Sequence, residues 1–262
     1  MNLTSSEFKR IRSRIYDYCG INLHEGKEAL VRARVMKRIR KVGLGSFAEY
    51  MSYLENDHSG AEFLALVDVL TTNKTSFFRE SKHFDFIRDN IMPEMRGRRV
   101  KWWSAGCSSG EEPISCAIAL LEQRIQKKNV KILATDLSRE VLQVAKAGVY
   151  ASKSLKNMPA PIRNDYFRKV AKGSYQVNHT VRNMITYGRL NLKRNWPLDG
   201  PFHVIMCRNV MIYFNRTTQE RLVSRFCDIL EPGGYLFLGH SESVTGTNHS
   251  FKNIRPAVYQ KQ

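Results

Sequence analysis

Along the first eighty residues, apolar positions recur every three or four residues, and no stretch shows the strict alternation of a strand. Turn signals at Gly20, Gly43 to Gly45 and Asp57 to Gly60 divide this region into short helices. From Val100 onward the pattern changes. Short β-rich runs, "VKWWSA", "VKILATD", "FHVIMC" and "GYLFLG", are separated by helix-period stretches at Glu111 to Lys127 and Arg216 to Leu230. Strand and helix in alternation predict a twisted, mostly parallel, doubly wound sheet whose ligands sit beyond the C-terminal strand ends. The rhythm breaks between about 161 and 190. There "KGSYQVNHTVRNMITYG" resembles short antiparallel strands with turns near Lys172 and Asn178, and predicts a small inserted β subdomain. The organisation expected is a helical domain over 1–70, a linker over 71–82, and an α/β domain over 83–262 carrying that insertion.

Composition adds a partner class. The 262 residues include 42 Lys and Arg against 24 Asp and Glu, a formal charge of +18, which suits nucleic acid, an anionic membrane or an acidic protein surface. The apolar runs are too short to span a bilayer, and the first residues lack the pattern of a signal peptide, so the expectation is a cytoplasmic protein. Five cysteines without a CxxC pair, and seven scattered histidines without HExxH spacing, predict reduced thiols and no metal site. Within "LVRARVMKRIRKVG", Val31, Val35, Ile39 and Val42 share one helical face, while Arg34, Lys37 and Lys41 cluster on another. No acid occurs from Ala29 to Ser46, which makes the basic cluster a candidate docking surface for acidic helices.

The richest stretch for chemistry is "WWSAGCSSGEEP". It reads as a strand entering a tight turn of small residues, Gly106 to Gly110, and then a helix opened by Glu111, Glu112 and Pro113. Acids and a proline suit a helix start without any ligand. The turn has no Walker lysine and departs from GxGxxG, so a triphosphate or pyrophosphate matches poorly. A cationic ligand accounts for turn and acids together: S-adenosylmethionine carries a sulfonium, an ammonium and no phosphate. The next strand ends in Asp136, where such folds bind ribose hydroxyls, although the same residue also suits a helix cap. Cys207 beside Arg208 has no candidate base nearby in sequence and is a poor nucleophile candidate.

Taken in order, "TTNKTSFFRE", "WSAGCSSGEEP", "ILATDLS", "GRLNL", "MCRNVMIYF" and "GGYLFLGHSES" resemble the CheR-type chemotaxis receptor methyltransferases over essentially the whole chain. The resemblance implies an S-adenosylmethionine-dependent protein-glutamate O-methyltransferase, releasing S-adenosylhomocysteine, whose partner is the acidic helical cytoplasmic region of chemoreceptors. It implies that Asn73, Thr75 and Arg79 close over the cofactor, that Glu111 meets its ammonium and Asp136 its ribose, and that Asn191 and Leu192 lie on the adenine side. Arg208 and Asn209 then follow the fourth strand against the cofactor, and Tyr213 stands with Arg79 near the transferred methyl. Spacing leaves Glu111 and Glu112 open as the main contact. A monomer recruited to receptor arrays is expected, and the short "AKGSYQ" turn resembles relatives that do not depend on a receptor tether. The rivals are a nucleic-acid methyltransferase, disfavoured because "CRNVMIYF" lacks the prolines of the amine-methylating motif, and a cofactor-binding adaptor without activity.

Overall fold

The computed structural model describes residues 2–244 and 250–262, which form two compact units. Met1–Thr72 and Tyr213–Thr218 make one; Asn73–Ile212 and Gln219–Gln262 make the other.

The first unit is helical: α1 (Ser5–Cys19), α2 (Glu28–Lys41), α3 (Phe47–Asn56) and α4 (Ala61–Leu70). Its boundaries follow local chemistry. Thr4 and Glu7 form a capping box at α1, whose end is turned by Gly20 at φ 80°, and the Ser46 hydroxyl caps α3 by accepting the Glu49 amide at 3.1 Å. Phe8, Ile11 and Ile15 of α1 and Val31, Val35 and Ile39 of α2 are buried with Tyr50, Leu54 and Leu66. Beside this apolar core lies a buried ionic group. Glu62 accepts Arg38 Nε at 2.9 Å, a second Arg38 contact through Nη2, and the Tyr50 hydroxyl at 2.7 Å. The segment Tyr213–Thr218 joins the unit by main-chain contact: Asn22 N–H donates to the Tyr213 carbonyl at 2.7 Å, and Ile21 bridges Phe214.

The second unit begins with α5 (Ser81–Phe86), a π-turn at Ile87–Ile91, and α6 (Met92–Met95). Its main sheet has seven strands: β1 (Val100–Ala105), β2 (Val130–Asp136), β6 (Ile185–Arg189), β7 (Phe202–Cys207), β8 (Leu230–Leu238), β9 (Phe251–Arg255) and β10 (Val258–Lys261). The spatial order is β6-β2-β1-β7-β8-β10-β9; the first five run parallel, and β10 is antiparallel to both its neighbours. Helices α7 (Glu111–Glu122), α8 (Arg139–Ala147) and α11 (Arg216–Ile229) alternate with these strands. Trp102, Ile132, Val204 and Phe237 stand in the sheet's core, each at most 1% exposed. After β1 the chain proceeds to β2 on one side and later returns through β7 on the other. The order therefore reverses at β1, which opens a crevice at the strand C-termini.

The insertion differs from its expected bounds. A three-stranded antiparallel sheet, ordered β3-β5-β4, consists of β3 (Val149–Ala151), β4 (Phe167–Ala171) and β5 (Ser174–Val177), with α9 (Ala160–Tyr166) leading into β4. After the short α10 (His179–Arg182), Ile185–Arg189 pairs in parallel with β2 as the outer strand of the main sheet, not with the small one. An edge strand mixing buried and open positions looks in sequence like any short antiparallel strand, and the three residues of β3 are too few to show a period.

Candidate active site

The turn after β1 is shaped by two glycines. Gly106 and Gly110 both have φ 96°, and a Cβ on Gly106 would fall 2.4 Å from Val210 Cγ2, while one on Gly110 would meet Ala145 Cβ at 2.9 Å. Only glycine satisfies both demands. The amides of Gly106 and Cys107 donate to the Thr135 carbonyl at 2.8 and 2.9 Å, which ties the turn to the end of β2. Asp136 sits at that end and accepts the amides of Ser108 at 2.8 Å and Ser138 at 2.9 Å. Its carbonyl accepts the Leu190 amide at 3.0 Å, so the segment leading to Asn191 and Leu192 is held beside it. From the linker, the Asn73 carbonyl accepts the Ser108 hydroxyl at 3.0 Å. Asn73, Asp136 and the start of the 190s thus converge on one small-residue turn.

The two adjacent carboxylates have different surroundings. Glu112 accepts the Ser104 hydroxyl at 2.7 Å and Arg208 Nη1 at 3.0 Å. Burial raises its pKa, and the Arg208 guanidinium opposes that rise. Glu111 is 6% exposed, and its carboxylate accepts the Ser109 hydroxyl at 2.6 Å and its own backbone amide. Burial pushes its carboxyl above the ordinary range, against smaller opposing effects of that hydroxyl and amide, and no guanidinium offsets it. A buried carboxylate at a helix start, short of partners and beside a glycine turn, has what a bound ammonium needs. Glu112 is already neutralised.

Arg208 follows β7 with a side chain 1% exposed, placed between Glu112 and Glu80, each at 3.0 Å. It also donates to the carbonyl of Arg79. Glu80 is pushed up by burial and brought below the usual carboxylate range by Arg208, with the His240 amide and the Asn209 side chain helping. Asn209 adopts φ 59°, and its amide donates to Glu242 at 2.7 Å. Glu242 also accepts the amides of Gly239 and Ile212 at 2.6 and 3.1 Å and so braces the loop after β7 against the end of β8. Arg208 and Asn209, expected against the cofactor, hold a buried network together. Glu80 and Glu242 were absent from the sequence reading as braces. Their signal was present in "FFRE" and "HSES", but one chain does not say what a carboxylate will face.

The remaining candidates are placed as follows. Arg79 and Thr75 are half-buried on the linker, and Arg79 Nη1 donates to the Lys74 carbonyl at 2.8 Å. Asn191 Oδ1 accepts the Lys193 amide at 3.0 Å, and the Leu192 carbonyl accepts Arg225 Nη1 at 2.9 Å. Tyr213 is half-buried in a single 3-10 turn (Met211–Tyr213) and belongs to the helical unit, where its carbonyl serves Asn22. In the basic cluster, Lys37 and Lys41 are exposed, whereas Arg34 Nη1 caps α4 by donating to the carbonyls of Leu70 at 2.8 Å and Thr71 at 3.0 Å. Cys207 is fully buried and its thiol is pushed well up by burial, which removes the thiolate alternative. No helix of the described residues is long and apolar enough to cross a membrane.

Two family descriptions match successive stretches of the chain: "CheR methyltransferase, all-alpha domain" over residues 6–71 and "CheR methyltransferase, SAM binding domain" over 73–259. The chain belongs to the CheR methyltransferase family. It is accordingly an S-adenosylmethionine-dependent methyltransferase, and the glycine cradle with Glu111 and Asp136 fits that cofactor. Among named relatives, a chemotaxis protein methyltransferase of Borreliella burgdorferi is 37% identical, covering 100% of this chain and 96% of its own. A probable chemotaxis protein methyltransferase of Rhizobium etli is 40% identical over 94% of this chain and 96% of its own. The Escherichia coli chemotaxis protein methyltransferase is 36% identical over 98% and 91%.

Proposed function

We propose that this CheR-family protein methylates glutamate side chains of chemoreceptors, converting carboxylates into methyl esters during sensory adaptation. The observation that carries the reading is the contrast at the head of α7, where Glu112 is neutralised by Arg208 while Glu111 keeps a carboxylate for a cationic donor. Glu111 would hold the ammonium, Asp136 the ribose, Asn191 and Leu192 the adenine side, and Asn73, Thr75 and Arg79 would close the linker over them. Bound S-adenosylmethionine supplies an electrophilic methyl on a sulfonium sulfur.

The protein's own share is alignment. A glutamate has an unperturbed pKa of about 4.3 and is ionised at neutral pH, so the nucleophile needs no general base. What it needs is an in-line approach and the loss of its water shell. Arg79 is suited to hold one carboxylate oxygen while the other attacks, and Tyr213 to orient the reacting centre. Lys37 and Lys41 are suited to receive the acidic receptor helices, while Arg34 serves that face through its hold on α4. The protein acts on the cytoplasmic part of receptors, as a monomer recruited to their arrays, without needing a receptor tether.

The test is transfer of a tritiated methyl group from the cofactor to purified receptor cytoplasmic fragments. Base-labile label on the fragments is expected. Label on RNA or DNA would establish the nucleic-acid rival instead, and cofactor binding with no transfer to any of these would leave an adaptor.

A further inference from the structure

His83, on α5, is 1% exposed, and both its ring nitrogens lack a hydrogen-bond partner among the described residues. An imidazole left this way forfeits the hydrogen bonds it had in water, a cost that buried polar groups normally avoid. Apolar rings account for its position only in part. It packs edge-on to Phe237 at 5.4 Å, but its Nδ1 lies 3.5 Å from Glu80 Oε2 without bonding to it, and its ring meets that of His240 at 4.9 Å. His240 Nε2 is in turn 3.9 Å from the same carboxylate oxygen. Donor atoms of Glu80, His83 and His240 all lie within 4.8 Å of one another.

We infer that Glu80, His83 and His240 form a binding site for a divalent transition-metal ion of the zinc class. Zinc bonds of about 2.0–2.2 Å at the tetrahedral angle place ligand atoms about 3.4 Å apart. The two distances to Glu80 Oε2 are close to that value already. Closing the third requires rotation of the His240 ring, which is 48% exposed and faces solvent. Two imidazoles and one carboxylate leave a fourth position for water on the His240 side. The donor set also selects the ion. The set holds one carboxylate, and Glu80 already shares Arg208 with Glu112, so little net negative charge is offered. A hard ion such as magnesium, which depends on carboxylate charge, gains little here, whereas zinc, nickel or copper gains from imidazole nitrogen. An occupied site would clamp the residue after Arg79 to α5 and to the loop beyond β8.

The probe is zinc titrated calorimetrically into untagged cofactor-free protein, with cobalt as its spectroscopic stand-in. One equivalent is expected to bind, with the ligand-field absorption of a tetrahedral nitrogen and oxygen site. His240→Ala, at a half-exposed position and with folding checked by circular dichroism, is expected to weaken binding on the order of tenfold or more. No zinc binding by the parent, equal binding by the variant, or a thiolate-to-cobalt charge-transfer band would each overturn the assignment.

Discussion

The basic helix of the first unit and the acidic turn of the α/β unit are similar as charge patterns, and the fold treats them by the same rule. On α2, Arg38 is committed to the buried Glu62 and Arg34 to the carbonyls ending α4, which leaves Lys37 and Lys41 exposed. At the head of α7, Glu112 is committed to Arg208, and Glu111 is left with one hydroxyl, its own amide and no cation among the described residues. In each region a run of like charge divides into members that hold the protein together and members available to a partner. Density of charge marks a candidate surface, but only the internal partners say which charges are left unspent.

The comparison is tested hardest at Arg208. Removing it by Arg208→Ala leaves Glu112 and Glu80 buried without their cation, and a loss of about 3–5 kcal/mol is expected in urea denaturation. A loss near that of an ordinary surface change, within about 0.5 kcal/mol, would mean that the network is dispensable.

Next in size is the division between the two glutamates. Glu111→Gln is expected to weaken S-adenosylmethionine binding by about 2 kcal/mol, roughly thirtyfold, as suits a lost charged hydrogen bond. Folded Glu112→Gln should bind within a few-fold of the parent. Calorimetry giving the reverse order would exchange their roles.

Acid lability should follow the sheet unit through His83. The unfolded imidazole takes a proton near pH 6.5, but the buried one only near pH 3. Between those values the unfolded state binds more protons, so stability is full above pH 6.5 and falls as pH drops, by about 1.4 kcal/mol per pH unit. His83→Phe should flatten that slope. An unchanged slope would assign the acid sensitivity elsewhere.

The smallest effect concerns the helix. Neutralising Lys37 and Lys41 together should raise KM for receptor fragments at low salt, each charge contributing about 0.2–1 kcal/mol, and the difference should fade at high salt. Arg34→Ala should instead lower stability by about 1 kcal/mol with little dependence on salt, because its bonds are internal. A salt-insensitive KM in the lysine variant would remove α2 from substrate docking.

Legibility from sequence followed the range of the forces involved. The four helices of the first unit are written in a 3.6-residue period, and β1, β2, β7 and β8 in short apolar runs rich in β-branched and aromatic residues, because these inner strands are covered on both faces. The glycine turn and Asp136 were legible for a similar reason: a tight turn needs glycine at φ 96° whatever surrounds it, and a strand end places the acid. The edge strands were not. β6 and β9 mix buried and exposed positions, and β3 is three residues long, so their partners are chosen by the sheet and not by their own pattern.

The sequence alone determined the fold class, the glycine turn after β1 and the residue types gathered near it, because backbone geometry and hydrophobic period act within a few positions. Tertiary structure alone decided which of two adjacent glutamates is spent on Arg208, which arginines of α2 are internal caps, and that His83 is buried beside Glu80. The Arg208 contacts join residues 96 and 128 positions apart, and the Arg38 and Arg34 contacts residues 24 and 36 apart, in a medium where an uncompensated charge is costly. No local pattern records such a meeting.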